Sequence, residues 1–329
     1  MNDQANRLRD IIKAKNAAGV SDAAVVEDLI NTPLTELLSS RRSADHTPKQ
    51  HAKVITITSG KGGVGKTNFT VNLAIAMSRL GKRVVIIDAD FGLANIEVLL
   101  GIIPKSSFAD VFSQKRSIED VITSGPMGMS FISGGSGLSN MANINNDQIQ
   151  HIVENMEVLD SLADIVLIDT GAGISKSVTA FVLASSETII VTTPEPTSIT
   201  DAYAIIKTAR EEMAHALNFK LIVNRVESRE EGLEIYNKLN RVCSRFLSID
   251  IENLGSIPYD HSLVRAVKAQ TPVAVGFPEA PSTIAINEIC QKILFGEAAQ
   301  LVQKDGGDNA ASGMKSFVKR LAGIFKNKA

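Results

Sequence analysis

At 329 residues the chain is long enough to bury a substantial core, as one large α/β domain or two smaller ones. Its 34 basic and 36 acidic residues leave a net charge of −2, which argues against a globally basic nucleic-acid binder, and its two cysteines, Cys243 and Cys290, give neither a disulfide framework nor a metal spacing. The first residues lack a basic-then-apolar leader and no run approaches the roughly 18 apolar residues of a membrane span, so a soluble cytoplasmic chain is expected.

In chain order, residues 3–9 open a short helical pattern with Ala5, Leu8, Ile11 and Ile12 on one side. It is too short to hold in water without docking on its own domain or on a partner. A weaker helical stretch and a polar linker from Arg41 to Gln50 follow, and the main domain is expected from residue 53 to about 300. From there β-branched runs alternate with helical periods. Strands are predicted over Val54–Thr58, Arg83–Asp88, Met129–Ser133, Asp164–Asp169, Thr188–Thr192, Phe219–Asn224 and Leu254–Ile257. Helices are predicted over 66–80, 143–160, 174–185, 198–214 and 230–247. Continuous apolar strands separated by helices imply a doubly wound, mostly parallel α/β sheet flanked by helices, with ligands at the carboxyl ends of the strands.

The first strand runs into Ser59-Gly-Lys-Gly-Gly-Val-Gly-Lys-Thr67 and then a helical period. Gly60 through Thr67 meets the spacing G-x-x-x-x-G-K-[ST] in the strand–loop–helix context that a phosphate-binding loop needs. The backbone of Gly60, Lys61, Gly62, Gly63, Val64 and Gly65 would cradle phosphates. Lys66 would reach the β- and γ-phosphates and Thr67 would ligate Mg²⁺. Two more strands end in acids. Asp88 and Asp90, two positions apart, can face one side of an extended segment, and Asp169 closes an apolar strand in the pattern that holds Mg²⁺ through water. Thr170-Gly-Ala-Gly173 follows as a turn beside that acid.

Residues 301–313 read as a flexible linker and 314–329 as a short basic amphipathic helix. Met314, Phe317, Val318, Leu321, Ile324 and Phe325 form one apolar stripe, flanked by Lys315, Lys319, Arg320, Lys326 and Lys328. Such a helix reads as a membrane-surface binder, strengthened by avidity if two are brought together. Packing on its own domain or on a protein groove is the other reading, and both can occur in different nucleotide states.

Lys61, inside the loop and five positions before Lys66, makes the motif resemble the deviant Walker A of the MinD/ParA family of ATPases. The resemblance covers residues 53 to about 290, and Asp88-Ala-Asp-Phe-Gly-Leu-Ala-Asn-Ile-Glu-Val-Leu-Leu-Gly101 with Asp169-Thr-Gly-Ala-Gly173 point to its FlhG (YlxH/FleN) branch of flagellar-number regulators. It implies an ATP/ADP cycle with Mg²⁺ and an ATP-dependent homodimer in which Lys61 contacts the partner's nucleotide. Asp90 would orient the attacking water, and Asp88 and Asp169 would be outer-shell Mg²⁺ groups. Asn68 belongs to the nucleotide site, Asn224, Arg225 and Pro258 to the adenine side, and Glu195 and Asp201 to the dimer face. Asp3, Gln4, Ala5, Leu8 and Arg9 resemble the segment that engages an FlhF-type signal-recognition GTPase. Flagellar switch-complex proteins or a flagellar transcription activator, and membrane lipids through Phe317, Val318, Lys319, Arg320, Leu321, Ile324 and Phe325, are the other implied partners, with no nucleic acid. The protein would cycle between cytoplasm and inner membrane face. Division-site or DNA-partition ATPases, and a nucleotide-gated adaptor, are the competing readings.

Overall fold

In a computed structural model, which describes residues 51–90, 95–135, 146–212, 217–296 and 313–326, these runs assemble into an eight-stranded sheet. The strands are β1 (Lys53–Ser59), β2 (Val84–Ala89), β3 (Thr123–Ser124), β4 (Ser130–Ile132), β5 (Ile165–Ala172), β6 (Glu187–Thr192), β7 (Phe219–Val226) and β8 (Glu252–Pro258). They lie side by side in the order β3-β4-β2-β5-β1-β6-β7-β8, and only β3 against β4 is antiparallel. The seven predicted strands are all present, and β3 is an addition too short for any pattern to reveal.

The helices are α1 (Lys66–Arg79), α2 (Asn95–Leu100), α3 (Phe108–Phe112), α4 (Ile118–Val121), α5 (Asn146–Leu162), α6 (Lys176–Ala184), α7 (Pro196–Glu212), α8 (Arg229–Leu247), α9 (His261–Lys268), α10 (Val273–Gly276), α11 (Pro281–Phe295) and α12 (Met314–Lys326). Of these, α1, α5, α6, α7, α8 and α12 follow the predicted helical periods. The short α3 and α4 each carry a capping box, Ser107 with Asp110 and Ser117 with Asp120, and α11 starts on Pro281. These start signals are local and readable, but the apolar period behind the first two is too short to register.

Side-chain alternation along the strands divides the core. On β2 and β5, Val84, Ile86, Ile165 and Leu167 face a layer with α1 and α11, whereas Val85, Ile87, Val166 and Ile168 face the other side. That second layer contains Phe181 of α6 and, from α12, Met314, Phe317, Val318 and Leu321, all buried. The terminal helix therefore belongs to the same compact unit as the sheet, residues 51 to 329. Among the described residues no helix is long and apolar enough to cross a membrane.

Candidate functional site

β1 hands over to α1 through a loop whose shape depends on missing side chains. Gly65 caps α1 at φ 95°, in the left-handed region, and a Cβ there would collide with the Asn224 amide. At Gly60 a Cβ would strike the backbone of Asp201 on α7. No side chain caps α1, so its first N–H groups are left to serve an anion.

Behind this cradle lies a buried polar cluster. Lys66 Nζ donates to Asp169 Oδ1 at 2.9 Å, and Thr67 Oγ1 donates to Asp169 Oδ2 at 2.7 Å. Asp88 pairs with Asp169 in register across β2 and β5, so two carboxylates sit side by side on the α1 face. Burial, followed by the charge of Asp169, pushes the Asp88 carboxyl up to about 7. Asp88 Oδ1 accepts from the Asp90 N–H at 3.1 Å, and Oδ2 accepts from the N–H groups of Asn95 and Ile96 at 3.1 and 3.3 Å. This carboxyl group thus ties Asp90 to the start of α2. On Asp90, Oδ2 accepts from Asn95 Nδ2 at 3.1 Å, while Oδ1 faces Gly171, where a Cβ would lie 3.6 Å away.

Two cavities open over the cluster. One, of about 660 Å³, is lined by Lys66, Thr67, Asn68, Asp90 and Asn95 among others. Its neighbour, of about 440 Å³, brings together Asn68, Asn224, Arg225 and Pro258 with Tyr259. Asn224 Nδ2 donates to the Val64 carbonyl and an Arg225 guanidinium N–H to that of Gly63, both at 2.7 Å. Gly60 through Asn68, Asp88, Asp90, Asp169, Asn224, Arg225 and Pro258 are therefore gathered at the carboxyl ends of β1, β2, β5, β7 and β8. The donor set suits a nucleotide with a hard divalent cation: an ammonium and free N–H groups for phosphate, and hydroxyl and carboxylate oxygens for Mg²⁺.

Lys61 has a different partner. Its Nζ lies 2.5 Å from Glu195 Oε2 and 3.1 Å from Thr197 Oγ1, at the start of α7 in the same chain. The Lys61 hydrogen bond and charge hold the Glu195 carboxyl below its usual range. In this conformation the lysine is engaged within its own subunit.

On the opposite face of the sheet, α12 fills a groove whose floor includes Ile87 and Ile168, each one residue before an acid of the site. Phe317 stacks on Phe181 with ring centroids 6.2 Å apart, and Arg320 Nε donates to the Ala184 carbonyl at 2.7 Å. Asp160 on α5 accepts from the N–H of Met314 at 2.9 Å and of Ala52 at 3.0 Å, tying the start of α12 to the start of β1. Of the expected lipid-facing residues, Phe317, Val318 and Leu321 are buried, Arg320 and Ile324 are half-buried, and Lys319 is exposed. The buried residues can meet lipid only after leaving this groove. The side chain of Phe325 and residues Asp3, Gln4, Ala5, Leu8 and Arg9 lie outside the described residues.

Three residues of this arrangement escape sequence reasoning. Thr70 Oγ1 lies 2.9 Å from Asp169 Oδ1, and its place one turn beyond Lys66 and Thr67 was a usable signal. Asn95, at the start of α2, donates to Asp90 five positions back, and Asp160 joins segments 108 and 154 positions away, for which no local pattern exists.

The sequence family described as "CobQ/CobB/MinD/ParA nucleotide binding domain" matches residues 55–273. The chain is 40% identical over 242 residues to the antiactivator FleN of Pseudomonas aeruginosa, covering 73% of this chain and 86% of that one. It is 32% identical over 326 residues to the flagellum site-determining protein YlxH of Helicobacter pylori, covering 98% of each. Among solved structures, the MinC:MinD cell division complex of Aquifex aeolicus superposes with a TM-score of 0.60 at 26% identity, over 78% of this chain and 99% of that one.

Proposed function

The chain belongs to the MinD/ParA family of P-loop ATPases, in the branch that includes FleN and YlxH, and we propose that it uses ATP to regulate flagellar number and placement. The observation that carries this reading is the similarity to YlxH over 98% of each chain, joined to a site in which Lys66 and Thr67 both donate to Asp169.

In the proposed reaction Asp90, steadied by Asn95, orients a water for in-line attack on the γ-phosphate. Lys66 and the loop N–H groups balance the charge that develops on the transferring group. Thr67, with Asp169 and Asp88 behind it, would hold Mg²⁺, which when bound would supply further charge neutralisation. Lys61 would exchange Glu195 for the nucleotide of a second subunit, so that turnover follows dimerisation. Release of α12 in the ATP dimer would present its apolar face and Lys319 to an anionic membrane, two helices acting together. Return to the monomer would restore the groove. An FlhF-type GTPase at residues 3–9, and switch-complex proteins or a flagellar transcription activator, complete the proposed partners.

Sizing the protein with ATP, ADP and no nucleotide, alongside flotation on anionic vesicles, tests this cycle. We expect an ATP-dependent dimer that floats, trapped by Asp90→Ala and no longer floating when residues 314–329 are removed. A monomer in all three conditions, or flotation that survives the truncation, would overturn it.

A further inference from the structure

Asp169 is fully buried and receives three side-chain donors, Lys66 and Thr70 on Oδ1 and Thr67 on Oδ2. A buried carboxylate depends on such donors, because lost hydration has to be replaced. Two of them have other work in the reaction: Lys66 goes to phosphate and Thr67 to the metal. Thr70 does not. It is fully buried, one helical turn further from the loop.

Thr70 is also built to change acceptor. Its single hydroxyl proton has two oxygens within reach, the Lys66 carbonyl at 3.0 Å and Asp169 Oδ1 at 2.9 Å. The first is the ordinary back-bond of a helical threonine four residues along. While the Lys66 ammonium occupies Oδ1, the hydroxyl can rest on that carbonyl. Once the ammonium leaves, the proton can turn to Oδ1 and keep Asp169 satisfied, with Oδ2 held towards Thr67.

We propose that Thr70 is a positioning residue for the ATPase reaction, the donor that retains the Asp169 carboxylate in its metal-facing orientation after Lys66 and Thr67 turn to the nucleotide. The inference rests on the reading of Lys66 and Thr67 as the phosphate and metal residues. A purely structural Thr70 would matter only for packing between α1 and β5, and substitutions separate the two roles. Thr70→Val keeps the shape and removes the proton, while Thr70→Ser keeps the proton.

The measurement is equilibrium binding of a fluorescent ADP analogue to the full chain, with Mg²⁺ titrated from EDTA upward. Thr70→Val should lose roughly tenfold or more of the Mg²⁺-dependent gain in affinity, the scale of one hydrogen bond to a buried charge. Affinity in EDTA should stay within about twofold, and Thr70→Ser should recover most of the gain. In an Asp169→Asn background, Thr70→Val should add nothing further. A normal Mg²⁺ response in Thr70→Val, equal impairment in Thr70→Ser, or additive effects with Asp169→Asn would overturn the proposal. Should Thr70→Val fail to fold, Thr70→Ala, which also lacks the donor, carries the same comparison. Wild-type binding with no Mg²⁺ dependence would instead refute the underlying assignment of Lys66 and Thr67.

Discussion

The two faces of β5 meet one residue apart and are organised on opposite principles. On one face Asp169 is held by three side-chain donors at 2.7–2.9 Å. On the other, Ile168 helps to floor an apolar groove closed by Phe317, Val318 and Leu321. A buried polar cluster specifies its partners by geometry, because an unpaired donor or acceptor there is costly. An apolar groove specifies little beyond shape, and the helix that fills it can exchange this surface for another apolar one at modest net cost. The strand thus joins a site that needs a defined ligand to a seat that needs only to be kept dry.

The largest expected effect falls on the apolar face. Phe317→Ala should weaken docking of α12 by about 3–5 kcal/mol, as for other buried aromatic truncations. Hydrogen exchange at residues 314–326 should accelerate roughly a hundredfold or more, while nucleotide affinity in solution stays within about twofold. A larger change in affinity would show that the two faces are coupled in the monomer.

The polar face should reveal itself through pH. Asp88 has its folded pKa raised to about 7 from an unfolded 3.8, so the folded state binds more protons between those values. The stability this contributes is fully present below the unfolded value and is lost as pH rises to about 7, a few kcal/mol at most. The nucleotide-free protein should therefore melt lower at pH 8 than at pH 5.5. Asp169→Asn removes the second cause of the shift and should move the upper end of that window to lower pH. A melting temperature that rose from pH 5.5 to pH 8 would contradict the burial of Asp88.

Asp160→Ala should produce the smallest shift. It removes the acceptor for the N–H groups of Ala52 and Met314, a cap-like loss of roughly 1–2 kcal/mol. Exchange should quicken at the start of α12 and of β1 together, with melting little changed. Faster exchange at only one of the two would show that Asp160 does not join them.

Much of the fold was legible because continuous β-branched runs between helical periods have few other ways to be buried. Elements that lean on others for definition were not: β3 is two residues long, and α2 begins where Asp88 accepts its first N–H groups. At the site the phosphate loop was legible because its glycines, lysine and threonine act through spacing along one chain segment. Asn95 matters through Asp90 and Thr70 through Asp169 on β5, and for Thr70 the spacing from Lys66 and Thr67 was the only sequence signal.

The phosphate loop, the acids at the strand ends, the parallel sheet and the amphipathic stripe of 314–329 can all be read from the amino acids alone. Each of these is a local pattern of residue type and spacing, set by backbone geometry and by the period of helix or strand. What the stripe and the extra lysine meet is set by packing between distant segments. Phe317, Val318 and Leu321 lie against Phe181 and the back of β5, and Lys61 lies on Glu195. An apolar face carries no label for its partner, and an exposed lysine pairs with whichever carboxylate the fold brings within reach.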